Sequence, residues 1–209
     1  MSSSREKILE KIKSALADKK TAGEVDRDFS GSIYHEVELP LHDAFKKQLE
    51  SIKGEAHLCE NENAVKEKIE ELIDSNKWQH VACVDPQLQA VLPEAVTNNP
   101  GIDNDIVDTS ITRCEYLVAH TGSAIVSSNT PSGRRLNVFP PVHLIVANAS
   151  QLTTYLDEAI EKIEKQYPDE KPSQISIITG PSRTADIEKT LVMGAHGPKS
   201  LIVLINLSK

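Results

Sequence analysis

The feature that most constrains this chain is a set of short runs of Val, Ile, Leu and Ala in which polar residues do not alternate, at residues 80–84, 116–119, 124–127, 143–147, 175–178 and 201–207. A strand with one wet face alternates apolar and polar residues, whereas a strand covered on both faces reads apolar throughout. Between the last three runs, Ser150 caps a predicted helix carrying Leu152, Tyr155, Leu156, Ala159, Ile160 and Ile163. A second helical segment is predicted around Ile187, Leu191 and Val192. Strand and helix thus alternate, which predicts an α/β fold of three α/β/α layers around a mostly parallel sheet. In such sheets ligands sit at the carboxyl ends of the strands, and the two polar turns described below are expected there.

Upstream, Ser3-Ser4-Arg5-Glu6 reads as a capping box, and Ile8, Leu9, Ile12, Ala15 and Leu16 repeat at helical spacing. Residues 21–31 lack periodicity and contain Gly23 and Gly31, so residues 1–31 are expected to form an amphipathic helical extension with a linker. Residues 32–209 are expected to form the α/β domain. Within it, Leu41, Ala44, Phe45, Leu49 and Ile52 predict one helix, and Ala64, Val65, Ile69, Leu72 and Ile73 another.

Composition narrows the function classes. A 39% hydrophobic, 26% charged chain can bury a core without staples. The net charge of -8 disfavours a phosphate backbone and anionic membrane surfaces, so neither nucleic acid nor membrane is expected as a partner. No apolar run reaches the length of a membrane span, and a cytoplasmic location is expected. Cys59, Cys83 and Cys114 stand alone inside apolar runs, without the C-x-x-C spacing that holds zinc or an iron–sulfur cluster. They are expected to be buried thiols, and neither metal nor cofactor is expected on the chain.

Four constellations could carry chemistry. Thr121-Gly122-Ser123 follows an apolar run and offers two hydroxyls on an opened backbone, as a small oxyanion cradle or as a plain turn between adjacent strands. Gly180-Pro181-Ser182-Arg183-Thr184 follows residues 175–178 and is expected to open a helix, so that amides, hydroxyls and a guanidinium converge on a carboxylate. Alternatively, Arg183 pairs with Asp186 or Glu188. Those two acids in the first helical turn would oppose a diphosphate. His196, between Ala195 and Gly197, could act as an acid or base or merely bond its own turn; with Asp186 and Glu188 it completes the catalytic candidates. Arg134 and Arg135 form the strongest positive patch, able to clamp a carboxylate or to stay solvated.

Taken in order, the segment from Cys114 to Ser123, Arg134-Arg135 with Phe139-Pro140-Pro141-Val142-His143, the segment from Gly180 to Glu188, and His196-Gly197-Pro198 resemble the LUD-domain family of lactate utilization proteins. The resemblance covers roughly residues 110–207. It implies a fold similar to ribose-phosphate isomerases, glucosamine-phosphate deaminases and coenzyme A transferases. It also implies a part in oxidising L-lactate to pyruvate, with companion proteins carrying the iron–sulfur centres. The family usually has a carboxylate where this chain has His120, and no catalytic residue is carried over. Three roles follow: an accessory component that binds a small carboxylate or other anion, a free-standing isomerase or transferase acting on a phosphosugar or acyl-coenzyme A, or a protein-interaction module.

Overall fold

The computed structural model describes residues 4–17, 34, 36–37, 40–90, 92, 107–185, 191–194 and 196–209. The chain divides into two compact units, Met1–Glu36 and Val37–Lys209. The first contains helix α1 (Ser4–Ala17), which displays the expected apolar residues to solvent: Ile8, Leu9 and Ile12 are 58%, 43% and 49% exposed. Ser3, the first residue of the expected capping box, lies outside the described residues. Among the described residues, no helix is long and apolar enough to cross a membrane.

The second unit opens with α2 (Leu41–Ser51), β1 (Glu55–Cys59), α3 (Glu62–Asn76), β2 (Val81–Ala82), the short α4 (Pro86–Gln89) and β3 (Thr109–Arg113). Helix α3 begins where the Asn61 side chain accepts from the Ala64 amide at 3.0 Å, and it ends at Lys77 in the left-handed conformation. Its Val65, Ile69 and Leu72, spaced by four and three residues, form the buried stripe. The chain continues through β4 (Tyr116–Val118), β5 (Ser123–Ser127), β6 (Val142–Asn148), β7 (Leu152–Thr153), α5 (Leu156–Gln166), β8 (Ile175–Ile178), β9 (Arg183–Ala185), β10 (Leu191–Met193) and β11 (Ser200–Asn206).

Five strands form the central sheet in the order β1-β11-β6-β3-β2, and every pair is parallel. One face, with Ile111, Leu144, Ile202 and Leu204, packs on the buried stripe of α3. The other, with Ile145, Ala147, Leu201, Val203 and Ile205, meets Phe45 and Leu49 of α2 and the inner face of a second sheet. That sheet has the order β7-β4-β5-β8, and Ala159 and Ile163 of α5 cover its outer residues Val118 and Ile125. The expected mixed α/β fold with a parallel central sheet is present. One covering layer is built differently, as a small sheet with α5 beyond it and α2 beside it.

The reason is local. The turn between β4 and β5 is too short for a crossover, so the flanking apolar runs pair antiparallel as a hairpin instead of joining the parallel sheet. The helix expected from Ser150 starts later, at Leu156, because the buried Leu152 and Thr153 add a strand beside β4. Leu191–Met193 is not helical: it pairs with Arg183–Ala185 as an antiparallel strand. The turn residues Arg183 and Thr184, expected to open a helix, thus lie in a strand. Residues 186–190, including Asp186 and Glu188, lie outside the described residues.

Candidate functional site

Antiparallel pairing of Ala124 with Ile178 brings the start of β5 beside the end of β8, and so brings the two predicted turns together. Ser123 Oγ lies 2.8 Å from Thr179 Oγ1 and 2.7 Å from Thr121 Oγ1, a chain of three hydroxyls in which Thr179 is a member the motifs did not mark. Gly194 and Pro198 join them: Ser182 N donates to Pro198 O at 2.8 Å, and Gly194 N donates to Ser182 O at 2.9 Å. His196 on this segment is exposed, as are Thr121 and Arg183.

Among the described residues, the two turns face the end of α2. Gly122 has φ +64°, and a Cβ there would stand 2.4 Å from Leu49 N; Gly180 has φ +81°, and its Cβ would stand 3.0 Å from Ile52 O. Both turns are thus seated on the last turn of α2, and Arg183 Nη2 donates to Ile52 O at 2.8 Å, serving one of the carbonyls that the helix end leaves unpaired. Because α2 leads directly into β1, and Pro198 directly precedes β11, the junction lies at the amino edge of the central sheet. This corrects the expected carboxyl-edge position. Arg134 and Arg135 are not part of it. They are exposed in the loop after β5, at the far end of that strand, where Arg134 Nη2 donates to Ser173 Oγ at 2.6 Å and Arg135 lies over the Phe139 ring.

The carboxyl edge holds a cleft of ≈ 130 Å³ that sequence reasoning missed. Arg113, Asn148 and Asn206 stand at the ends of the adjacent strands β3, β6 and β11, with Asn148 and Asn206 in register. Arg113 Nε donates to Asp85 Oδ2 at 2.6 Å, and its Nη1 to Gln87 Oε1 at 2.7 Å. Asp85 is fully buried and also caps α4 by accepting from Gln87 N. Asn206 Oδ1 accepts from both the amide and the hydroxyl of Ser208. Lys209 pairs with Glu62 at the rim. The available signal was a polar residue closing each apolar run, as in Ala147-Asn148 and Ile205-Asn206.

Other titratable groups face inward. Burial pushes the Cys83 thiol up to about 11 and the Cys114 thiol to about 12, and all three cysteines are buried as expected. His143 is completely buried, its Nε2 2.8 Å from Thr112 Oγ1, and burial pushes its pKa down to about 3. Glu115 is held by the hydroxyls of Ser127 and Tyr167. Among the described residues, no three His, Cys, Asp or Glu side chains converge as a metal-holding group.

Residues 103–205 match the sequence model of the LUD domain. An uncharacterized protein of Neisseria meningitidis serogroup B is 35% identical over 98 residues, spanning 47% of this chain and 42% of the relative. A lactate utilization protein C from Bacillus velezensis is 31% identical over 102 residues, spanning 47% and 42%. Its counterpart from Deinococcus radiodurans is 30% identical, spanning 48% and 47%. The matches span less than half the length of these relatives. A crystal structure of a DUF162 family protein from Deinococcus radiodurans aligns with a TM-score of 0.56 at 16% identity, covering 79% of this chain and 96% of that one, and shows the same fold. Residues 103–205 thus carry a LUD domain, similar to the one in relatives named lactate utilization protein C.

Proposed function

We propose that this chain serves L-lactate utilization as an accessory component that holds a small carboxylate, while separate iron–sulfur proteins carry the electrons. The observation that carries this reading is the LUD match over residues 103–205, shared with relatives named lactate utilization protein C. Cys59, Cys83 and Cys114 fit it: each is buried, and burial holds its thiol in the protonated form. The junction of the two turns fits as scaffold, because its glycines and Arg183 brace α2. An isomerase or transferase would need an acid and a base at its substrate. Of His196, Asp186 and Glu188, only His196 lies among the described residues, exposed on a surface loop.

The test is an extract from cells lacking this chain, assayed for L-lactate-dependent dye reduction before and after adding the purified protein. Restoration on addition is expected; full activity without it would remove the chain from the system. A second reading, a protein-interaction module, draws on the exposed Ile8, Leu9 and Ile12 of α1. Changing these three to serine separates the readings, since loss of companion binding with unaltered carboxylate binding favours the module.

A further inference from the structure

We infer that the cleft at the carboxyl edge of the central sheet is a binding site for a small monocarboxylate bearing a hydroxyl or carbonyl oxygen on the adjacent carbon. The position is the one where open parallel sheets take ligands, because side chains from several strand ends converge there with no strand continuing past them. Here Asn206 and Asn148 end β11 and β6 in register, at the roughly 4.8 Å that separates strands in a sheet, and Arg113 ends the next strand opposite Val146, two residues short of Asn148, on the same face. At ≈ 130 Å³ the cleft is close in size to cavities of about 150 Å³ that hold a benzene-sized molecule.

Two features show donors that the protein itself leaves unused. A guanidinium has five N–H donors, and Asp85 and Gln87 take one each, fixing its plane and leaving three. The fully buried Asp85 is satisfied by Arg113 and by the Gln87 amide, and Arg113 itself remains one-third exposed toward the cleft. Asn206 is 3% exposed, and its Oδ1 is committed to Ser208, which turns the Nδ2 group to the other side with no partner among the described residues. The Asn206 amide nitrogen and the open side of the Arg113 guanidinium line the same cleft, two donors to which a ligand can offer acceptors.

The charges select the class. Arg113 is balanced by Asp85 and Lys209 by Glu62, so a phosphate or dicarboxylate would leave about two uncompensated negative charges in the cleft and a monocarboxylate one, which favours the monocarboxylate. One carboxylate can take two parallel N–H bonds from Arg113, and a neighbouring hydroxyl or carbonyl oxygen can accept from Asn206. The apolar wall at Val146 suits a short aliphatic remainder. The choice among monocarboxylates rests on the functional reading above; the location does not.

The test uses the full chain labelled with ¹⁵N and follows the Arg113 Nε–H resonance and the Asn206 side-chain amide during titration with sodium L-lactate, pyruvate, acetate and inorganic phosphate. Both signals are expected to move with L-lactate or pyruvate and not with phosphate. Asn206→Asp keeps the acceptor for Ser208 and replaces the donor by an anion, and affinity should fall at least tenfold. Gln87→Met, at an exposed position, should weaken binding without unfolding the chain, and Arg183→Ala should leave it unchanged. Absence of any shift at tens of millimolar ligand, or binding that survives both cleft variants, overturns the site. Movement with acetate alone, together with full lactate oxidation by extracts lacking the chain, would keep the cleft and discard the lactate reading.

Discussion

Arg183 illustrates how one side chain can satisfy a motif and still serve the fold. Its guanidinium was positioned by sequence to meet a carboxylate, yet its Nη2 caps the α2 end at Ile52. Arg183→Ala should therefore lower thermal stability by about 1 kcal/mol, the usual net value of such a bond at the surface, and leave carboxylate affinity unchanged in calorimetry. Gly122 is stricter. A side chain there faces both a left-handed φ and backbone atoms of Leu49, so Gly122→Ala should cost more than about 2 kcal/mol in urea denaturation or prevent folding. His143 supplies a pH dependence. Its folded pKa is depressed to about 3 against an ordinary value near 6.5, so the unfolded chain binds the extra proton first. Its contribution is complete above pH 6.5 and is lost as pH falls toward 3, with a slope approaching about 1.4 kcal/mol per unit. Urea midpoints at pH 5 and 7 should differ by less in His143→Gln than in the parent. The buried cysteines should resist iodoacetamide in the native chain and react in urea; alkylation of Cys114 without denaturant would contradict its burial.

At the scale of elements, the helices were legible wherever apolar residues kept a period near 3.6, as in α3, and the apolar runs were legible as strands. Their grouping was not. Residues 116–118, 123–127 and 175–178 have the same composition as the parallel strands, but only the short connection after Val118 tells which sheet they join. The segment after Thr184 shows the opposite failure. Leu191 and Val192 suit a helix face as well as a strand, and pairing with Arg183–Ala185 decides the matter. The two turns were both expected at the carboxyl ends of strands of one sheet, whereas the antiparallel pairing of β5 with β8 brings them together on the end of α2. Phe45 and Leu49 of that helix are wholly buried between the two sheets. Phe45→Ala should accordingly cost about 3 to 5 kcal/mol, measurable as a lowered urea midpoint. The carboxyl-edge cleft stayed invisible to motif reading because Asp85, Arg113 and Asn206 come from three separate stretches of chain and meet only through strand order and register.

For the whole molecule, the sheet order β1-β11-β6-β3-β2 places the last strand between the first strand and all the others. Among the described residues β1 pairs with β11 alone, through five residues from Glu55 to Cys59, so in pulse-labelled hydrogen exchange its amides should gain protection no earlier than those of β11. Earlier protection of β1 would mean that it first pairs elsewhere. The order also has a meaning for synthesis. At about 5 to 20 residues per second, the interval between the emergence of β1 and of β11 is on the order of ten seconds, during which a nascent chain carries a finished strand with no neighbour to pair with. A chaperone that holds nascent chains, or a slow codon stretch in the wrong place, would therefore affect the yield of this protein through a single vacant slot between its edge strand and the rest of its sheet.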